Sequence, residues 1–268
     1  MLRISGTGVS HVGLLRADNQ DSGFVGPTCV LVADGVGGAA AGEVASATAA
    51  YAVATSVLER PGEDPVVVLR DAFALAQAQV LAGVGADPAR TGMATTLTAV
   101  LTDGEQFVLG HLGDSRGYVL RDGVLTRVTR DHTWVQDLVD EGRLDGDDVA
   151  GHPWRNVVLR TVNGSVENTP DLVALHLRVG DRVLLASDGL TDLVPERVIE
   201  ETLRRHGDDA ALEALLATSL ARGGRDNVTC VLGTVVDGPR VGADGVLLGA
   251  VRDPGNVIDI AAARSASA

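Results

Sequence analysis

The sequence predicts an α+β fold: a four-layer α/β/β/α sandwich, two antiparallel β-sheets flanked by helices, with a helical flap insertion. Three observations lead there. Short runs rich in Val, Leu and Thr follow one another in hairpin-like succession. Two Asp-Gly steps, in LTDGEQF and VLRDGVLTRVT, sit between alternating segments, a strong signal for antiparallel turns. The helical segments are fewer and longer and do not alternate regularly with the strands, which disfavours a doubly wound parallel sheet.

The elements follow in order. TCVLVAD (residues 28–34) opens the strand series, and an Ala-rich helical run extends from Glu43 to Glu59. Pro65 to Leu81 carries Val68, Ala72, Leu75 and Gln79 at helical spacing. TTLTAVL, QFVLGHLGD and RGYVLRDG then supply three strands. Residues 131–164 are polar and helix-biased, interrupt the strand pattern and read as a flap. DLVALHL and DRVLLASD resume the strands, and PERVIEETLRRH is a helix with Pro195 at its start, where proline is tolerated. Asp208 to Arg222 repeats Leu212, Leu215, Leu216 and Leu220, and NVTCVLGTVV closes the series. The domain is expected to span residues 3–237. Residues 238–268 turn to Gly, Ala and Asp and read as a tail, partly disordered, its terminal AAARSASA having too little apolar content to fold alone, with one extra hairpin around GVLLGAV and NVIDIA as the alternative.

Composition narrows the function. The 268 residues are 45% apolar, enough for a full core. With 22 basic and 36 acidic residues the net charge is −14, which repels nucleic acid and anionic membrane surfaces. Every basic residue is Arg. Cys29 and Cys230 lie in apolar strand-like runs and read as buried hydrophobes, not as a disulfide. The N-terminus lacks the apolar core of a signal peptide, and no run approaches the ~20 apolar residues of a membrane helix, so a cytoplasmic monomer is expected.

Four carboxylates stand at strand termini. Asp34 ends CVLVAD, Asp114 ends FVLGHLGD, Asp188 ends RVLLASD and Asp226 precedes NVTCVLGTVV. Taken singly, DGVGG, GDSRG, SDGL and RDNVT each read as a turn. Recurrence on four strands favours a shared site, where uncompensated carboxylates would repel unless cations sat among them. An all-oxygen ligand set suits magnesium or manganese rather than zinc. Gly35, Gly37 and Gly38 would let the backbone approach such an ion. Asp103, Asp122 and Asp244 also precede Gly but follow no long apolar strand, and read as turns.

Taken together, the motifs resemble those of the metal-dependent type 2C (PPM family) protein serine/threonine phosphatases, bacterial type. The resemblance runs in order through R-A-D-N-Q-D (16–21), D-G-V-G-G (34–38), G-E-V-A-S (42–46), G-M-A-T-T-L (92–97) and G-D-S-R (113–116). It continues through T-R-D-H-T (129–133), H-P-W-R-N-V-V-L-R-T-V-N-G (152–164), S-D-G-L (187–190) and D-N-V-T (226–229). It implies that Asp34 bridges two Mn2+ or Mg2+ ions, that the Gly35 carbonyl ligates one, and that Asp188 and Asp226 hold the second. Asp114 matches a position that helps the S-D-G aspartate hold a weaker third ion. Asp21 would join the cluster as a ligand or through water, and Arg16 would contact the substrate phosphate. The implied chemistry is in-line attack by a dimetal-activated water, with no covalent phosphoenzyme.

The sequence also departs from the family. Val36 and Ala39 replace residues that relatives carry as His or Met, Ala94 replaces a Gly, and Gln20 replaces a Glu of some relatives. The leaving-group acid is therefore open: metal-bound water, His132 or His152, although a structural role is the stronger reading of both histidines. Arg116 is expected to brace the G-D-S-R turn by ion pairs. Arg160 and Arg225 also adjoin motifs, and Trp134 and Trp154 read as core packing rather than a peptide groove. His11, His111, His176 and His206 receive no role.

The leading expectation is a phosphatase acting on phosphoserine and phosphothreonine in proteins, opposing bacterial serine/threonine kinases. One alternative is a non-catalytic phosphatase-like binding module; decay of that kind would strike the metal aspartates first, and all are present. Another is a small-molecule phosphatase, since the sequence reveals no substrate groove.

Overall fold

The computed structural model describes residues 1–36, 41–239 and 244–259. The strands are β1 (Leu2–His11), β2 (Asp21–Val25), β3 (Cys29–Val36), β4 (Ala94–Thr95), β5 (Leu97–Thr102), β6 (Phe107–Leu112), β7 (Arg116–Arg121), β8 (Val124–Arg127), β9 (Asp171–Leu175), β10 (Arg182–Ala186), β11 (Val228–Asp237) and β12 (Val246–Gly249). The helices are α1 (Gly42–Glu59), α2 (Pro65–Ala86), α3 (Trp134–Asp140), α4 (Asp188–Thr191), α5 (Glu196–Arg205) and α6 (Asp208–Ala221). One antiparallel sheet runs β1-β11-β10-β7-β8 and the other β12-β2-β3-β5-β6-β9, with β4 paired to β3.

Alternation along single strands stacks these into four layers. Val30 and Val32 on β3 meet Val183 and Leu185 on β10 and Val231 on β11 in the core between the sheets. The intervening Leu31 and Ala33 face the opposite way, onto α1 and α2. Likewise Leu184, Cys230 and Leu232 turn outward onto Ile199, Leu203, Leu212 and Leu215 of α5 and α6. A period of two thus gives each sheet two apolar faces, each covered. Alanines at 45, 47, 49, 50, 52 and 54 are buried along α1, so this helix is buried nearly all round. Asp64 caps α2 by accepting from the Val66 N–H at 2.8 Å, with Pro65 at the first helical position.

All seven strand segments expected from the sequence are strands, and both Asp-Gly steps make hairpins. Asp122 and Gly123 take φ of 51° and 82° between β7 and β8, as a tight two-residue turn requires. Four expectations are corrected. Leu75 of α2 is exposed, and the buried stripe is Val68, Leu69, Ala72, Phe73, Ala76 and Val80. By length and composition α2, at 22 residues, could cross a membrane, yet that stripe is packed inside the protein. The flap has less helix than expected: after α3 only a 3-10 turn at Gly146–Gly151 follows, because DGDD and GHP break the helical pattern. Trp154 is 57% exposed and meets Trp134 edge-on at 4.8 Å between ring centroids, a flap cluster and not core.

The presumed tail is corrected as well. β12 pairs with β2, Ala250 and Val251 are buried, and the Ile258 N–H donates to Thr48 Oγ1 of α1 at 3.1 Å. This stretch needs the sheet edge to fold against, which composition alone does not reveal. The expected disorder of the final residues falls at 260–268, outside the described residues.

Candidate metal centre

The ends of both sheets deliver carboxylates to one end of the sandwich. Asp21 on β2 stands directly across from Asp34 on β3 in the antiparallel register. The Asp34 N–H donates to Thr96 Oγ1 at 2.9 Å, and its carbonyl accepts from Thr95 Oγ1 at 2.8 Å and from the Thr96 N–H at 2.9 Å. Asp114 lies in the turn that carries the chain from β6 in one sheet to β7 in the other. Asp188 begins α4 with one residue between it and the end of β10, and one residue separates Asp226 from the start of β11. Gly189 follows Asp188 so closely against the Asn227 carbonyl that any side chain there would collide with it.

The acids bear on one another electrostatically. Asp34 is pushed well above the ordinary carboxylate range by burial and then by Asp21, Asp188, Asp114 and Asp226. Asp188 is raised in the same way by burial, Asp114, Asp192 and Asp226. Burial takes Asp114 up to about 7, with Asp131 adding to it and Arg116 opposing it. Asp21, 1% exposed, is raised to about 6, mainly by burial. Its Oδ2 accepts from Ser187 Oγ at 2.8 Å, while its Oδ1 is buried without a hydrogen-bond partner. An orphaned buried carboxylate oxygen in a cluster of mutually repelling acids is what a divalent cation would satisfy. The donors are oxygens, fitting a hard ion. Among the described residues no three His, Cys, Asp or Glu close on one point as a cage. An ion here would take few protein oxygens and keep water for the rest, as magnesium-type sites do.

The remaining site residues fall into place around this cluster. At Gly35 a Cβ would lie 2.5 Å from the Gly42 carbonyl oxygen, so no other residue fits. Gly37, Gly38 and Ala39 lie outside the described residues. Arg16 donates to Asp226 Oδ2 at 2.6 Å. Both line a cleft of about 870 Å³ with Asp114, Asp188 and Asp192, and the flap adds Val135, Gln136 and Arg155. Arg116 makes an ion pair as expected, and its partner is Asp131 at the start of the flap, at 2.8 Å, where Arg127 joins it.

The histidines are tied up elsewhere. His132 Nδ1 accepts from the Gly113 N–H at 3.1 Å, which puts the proton on Nε2, and Nε2 donates to Asp171 at 3.0 Å. Burial lowers its pKa. His152 Nδ1 accepts from the Trp154 N–H at 3.2 Å, and its ring packs by Trp134. Neither lines the cleft.

Two residues escape sequence reasoning. Asn227, buried, accepts from the Gln20 N–H at 2.8 Å and donates to the Val12 and Asp18 carbonyls at 2.9 and 3.0 Å. It clamps the loop that carries Arg16. Its only sequence signal is its place after Asp226. Asp192 lines the cleft one helical turn after Asp188, with its pKa raised by burial; the i, i+4 spacing is its signal.

The same fold recurs among known proteins. The chain is 43% identical over 242 residues to the serine/threonine protein phosphatase PstP of Mycobacterium tuberculosis, covering 90% of this chain and 47% of that protein. It thus spans about half the length of that relative. It is 34% identical over 234 residues to the serine/threonine phosphatase stp of Listeria monocytogenes, covering 82% and 91%. The crystal structure of M. tuberculosis PstP/Ppp superposes with a TM-score of 0.83 at 42% identity, covering 87% of this chain and 98% of that one. The catalytic domain of PstP in complex with two manganese ions gives 0.82 at 41%, covering 88% and 100%. The family model for protein phosphatase 2C matches residues 5–223. With two sheets converging their acids at one end and most of its length matched, the chain belongs to the protein phosphatase 2C family.

Proposed function

We propose that this chain is a manganese- or magnesium-dependent protein phosphatase that hydrolyses phosphoserine and phosphothreonine by direct attack of water. The observation that carries the reading is the convergence of Asp21, Asp34, Asp114, Asp188 and Asp226, largely without cationic side chains to offset them. Asp34, the Gly35 carbonyl, Asp188 and Asp226 would hold two ions, and Asp114 with Asp188 a weaker third. When bound, such ions lower the pKa of water toward neutrality and offset charge on the phosphoryl oxygens.

The chain's own groups do the rest. Arg16 presents a planar fork at the cleft for the phosphate oxygens. Thr96 holds Asp34 in place through the Asp34 N–H, and Ser187 fixes Asp21, which would join the ions directly or through water. Neither cysteine serves as a nucleophile: Cys29 and Cys230 are buried, with burial pushing the Cys29 thiol up to about 12 and Cys230 higher still. The relatives' names support phosphorylated proteins as substrates; opposition to serine/threonine kinases by a monomer in the cytoplasm belongs to the same proposal.

The test is p-nitrophenyl phosphate and phosphothreonine-peptide turnover with added manganese, alongside Asp34→Ala and Asp188→Ala. Each variant is expected to lose at least about a hundredfold in kcat/KM. Variants matching wild type would overturn the reading. In oxygen-18 water, label should enter phosphate with no phosphorylated protein trapped.

A further inference from the structure

Five arginines line the cleft, and four of them already face a carboxylate. Arg16 pairs with Asp226 at 2.6 Å, Arg116 and Arg127 with Asp131, and Arg155 approaches Asp192 at 4.0 Å. Arg225 differs. It lines the same cleft, is exposed, and has no hydrogen bond or ion pair with any described residue. In a chain with 36 acidic residues against 22 arginines, an unpaired guanidinium beside the acidic cluster is not accounted for by folding.

Its backbone is nonetheless firmly held. The Gly224 carbonyl before it accepts from the Leu14 N–H at 2.7 Å, and Asp226 after it carries Arg16. Two residues on, Asn227 clamps the facing loop. Arg225 is therefore a free cation on a fixed base, next in sequence to the carboxylate that holds Arg16. The net charge of −14 repels anionic peptides, so an acidic flank at the lip would need a local cation to offset it. Arg16 is positioned toward the acidic cluster, whereas Arg225 faces solvent at the rim.

We propose that Arg225 is a specificity residue that reads an anionic group, a carboxylate or a second phosphate, flanking the phosphorylated residue of the substrate. This rests on the phosphatase reading above. The planar fork of arginine suits either oxyanion bidentately.

The experiment compares kcat/KM on four phosphothreonine peptides with manganese present: alanine flanks, Asp or Glu on the N-terminal side, the same on the C-terminal side, and a flanking phosphoserine. Wild type should favour at least one acidic peptide over the alanine peptide by roughly three- to fivefold at low salt, the scale of a partly exposed ion pair. That ratio should fall to about one in Arg225→Ala, persist in part in Arg225→Lys, invert in Arg225→Glu and shrink with added salt. Arg197→Glu, at an exposed position of α5 that does not line the cleft, makes the same change in net charge as Arg225→Glu and should keep the ratio. Loss confined to the carboxylate peptides, or to the phosphoserine peptide, names the source read. Circular dichroism verifies that the variants fold. A wild type without acidic preference, or an Arg225→Ala ratio equal to wild type, overturns the proposal. Failure to turn over any phosphopeptide, the alanine one included, would instead overturn the phosphatase reading.

Discussion

Asn227 and Arg16 are distant in sequence, yet the amide of one fixes the loop of the other through the Gln20 N–H and the Val12 and Asp18 carbonyls. Replacing it with alanine removes three hydrogen bonds and strands buried backbone groups, a loss of about 1–3 kcal/mol. We expect Asn227→Ala to melt at a lower temperature and to raise the KM for phosphopeptides on the order of tenfold, more than it lowers kcat, because Arg16 loses its fixed position. Calorimetry and steady-state kinetics check both, and an unchanged KM would show that the loop holds itself. At this scale Asp34, Asp114, Asp188 and Asp226 were legible because each stands at one terminus of an apolar run, a contrast visible in one dimension, whereas Asp21 entered only through the family resemblance. Asn227 was not, since its partners lie more than 200 residues away. The bracing of Arg116 against Asp131 was half legible: an ion pair was foreseeable, its partner was not.

Strands show the same division. Those with alternating Val and Leu declared themselves, whereas β1, β2 and β12 did not. On β1 the reason is close packing: a Cβ at Gly6 would lie 2.8 Å from a Val25 methyl, and one at Gly8 would run into Leu248. Glycine stands where another layer presses in, so the hydrophobic pattern is blank where the packing is tightest. β12 read as tail because four residues at a sheet edge have no period to detect. Its contribution is measurable. Ending the chain after Asp237 would bare the β2 edge and break the bond from the Val251 N–H to Ser22 Oγ, 3.1 Å, beside Asp21. It would also empty the seat that Ile258 takes over Gly83. The shortened chain should melt roughly 5–10 °C lower and bind manganese more weakly; identical melting and titration curves would show the strand to be dispensable.

Over the whole molecule the acidic cluster makes stability depend on pH and on divalent ions together. Asp21 and Asp114 have pKa values of about 6 and about 7 in the ion-free fold, against 3.8 for an ordinary Asp. A carboxyl raised by folding adds no penalty below the ordinary value, where both states are protonated, and its full penalty once pH exceeds the folded value. The ion-free protein should therefore lose stability as pH climbs from about 4 to about 7. Cations displace the protons and cancel the repulsion, so manganese should raise the melting temperature more at pH 7.5 than at pH 5. Thermal scans at both values test this, and an equal or reversed increment would contradict it. The architecture adds a last consequence. One sheet brings Asp21 and Asp34, the other is followed or preceded by Asp188 and Asp226, and only their mating completes the set. Grip on the ion is thus a gauge of how well two halves are joined: a cavity cut at Phe107, sealed in the seam at the far end of β6, would register as a looser hold on manganese without any ligand having been touched.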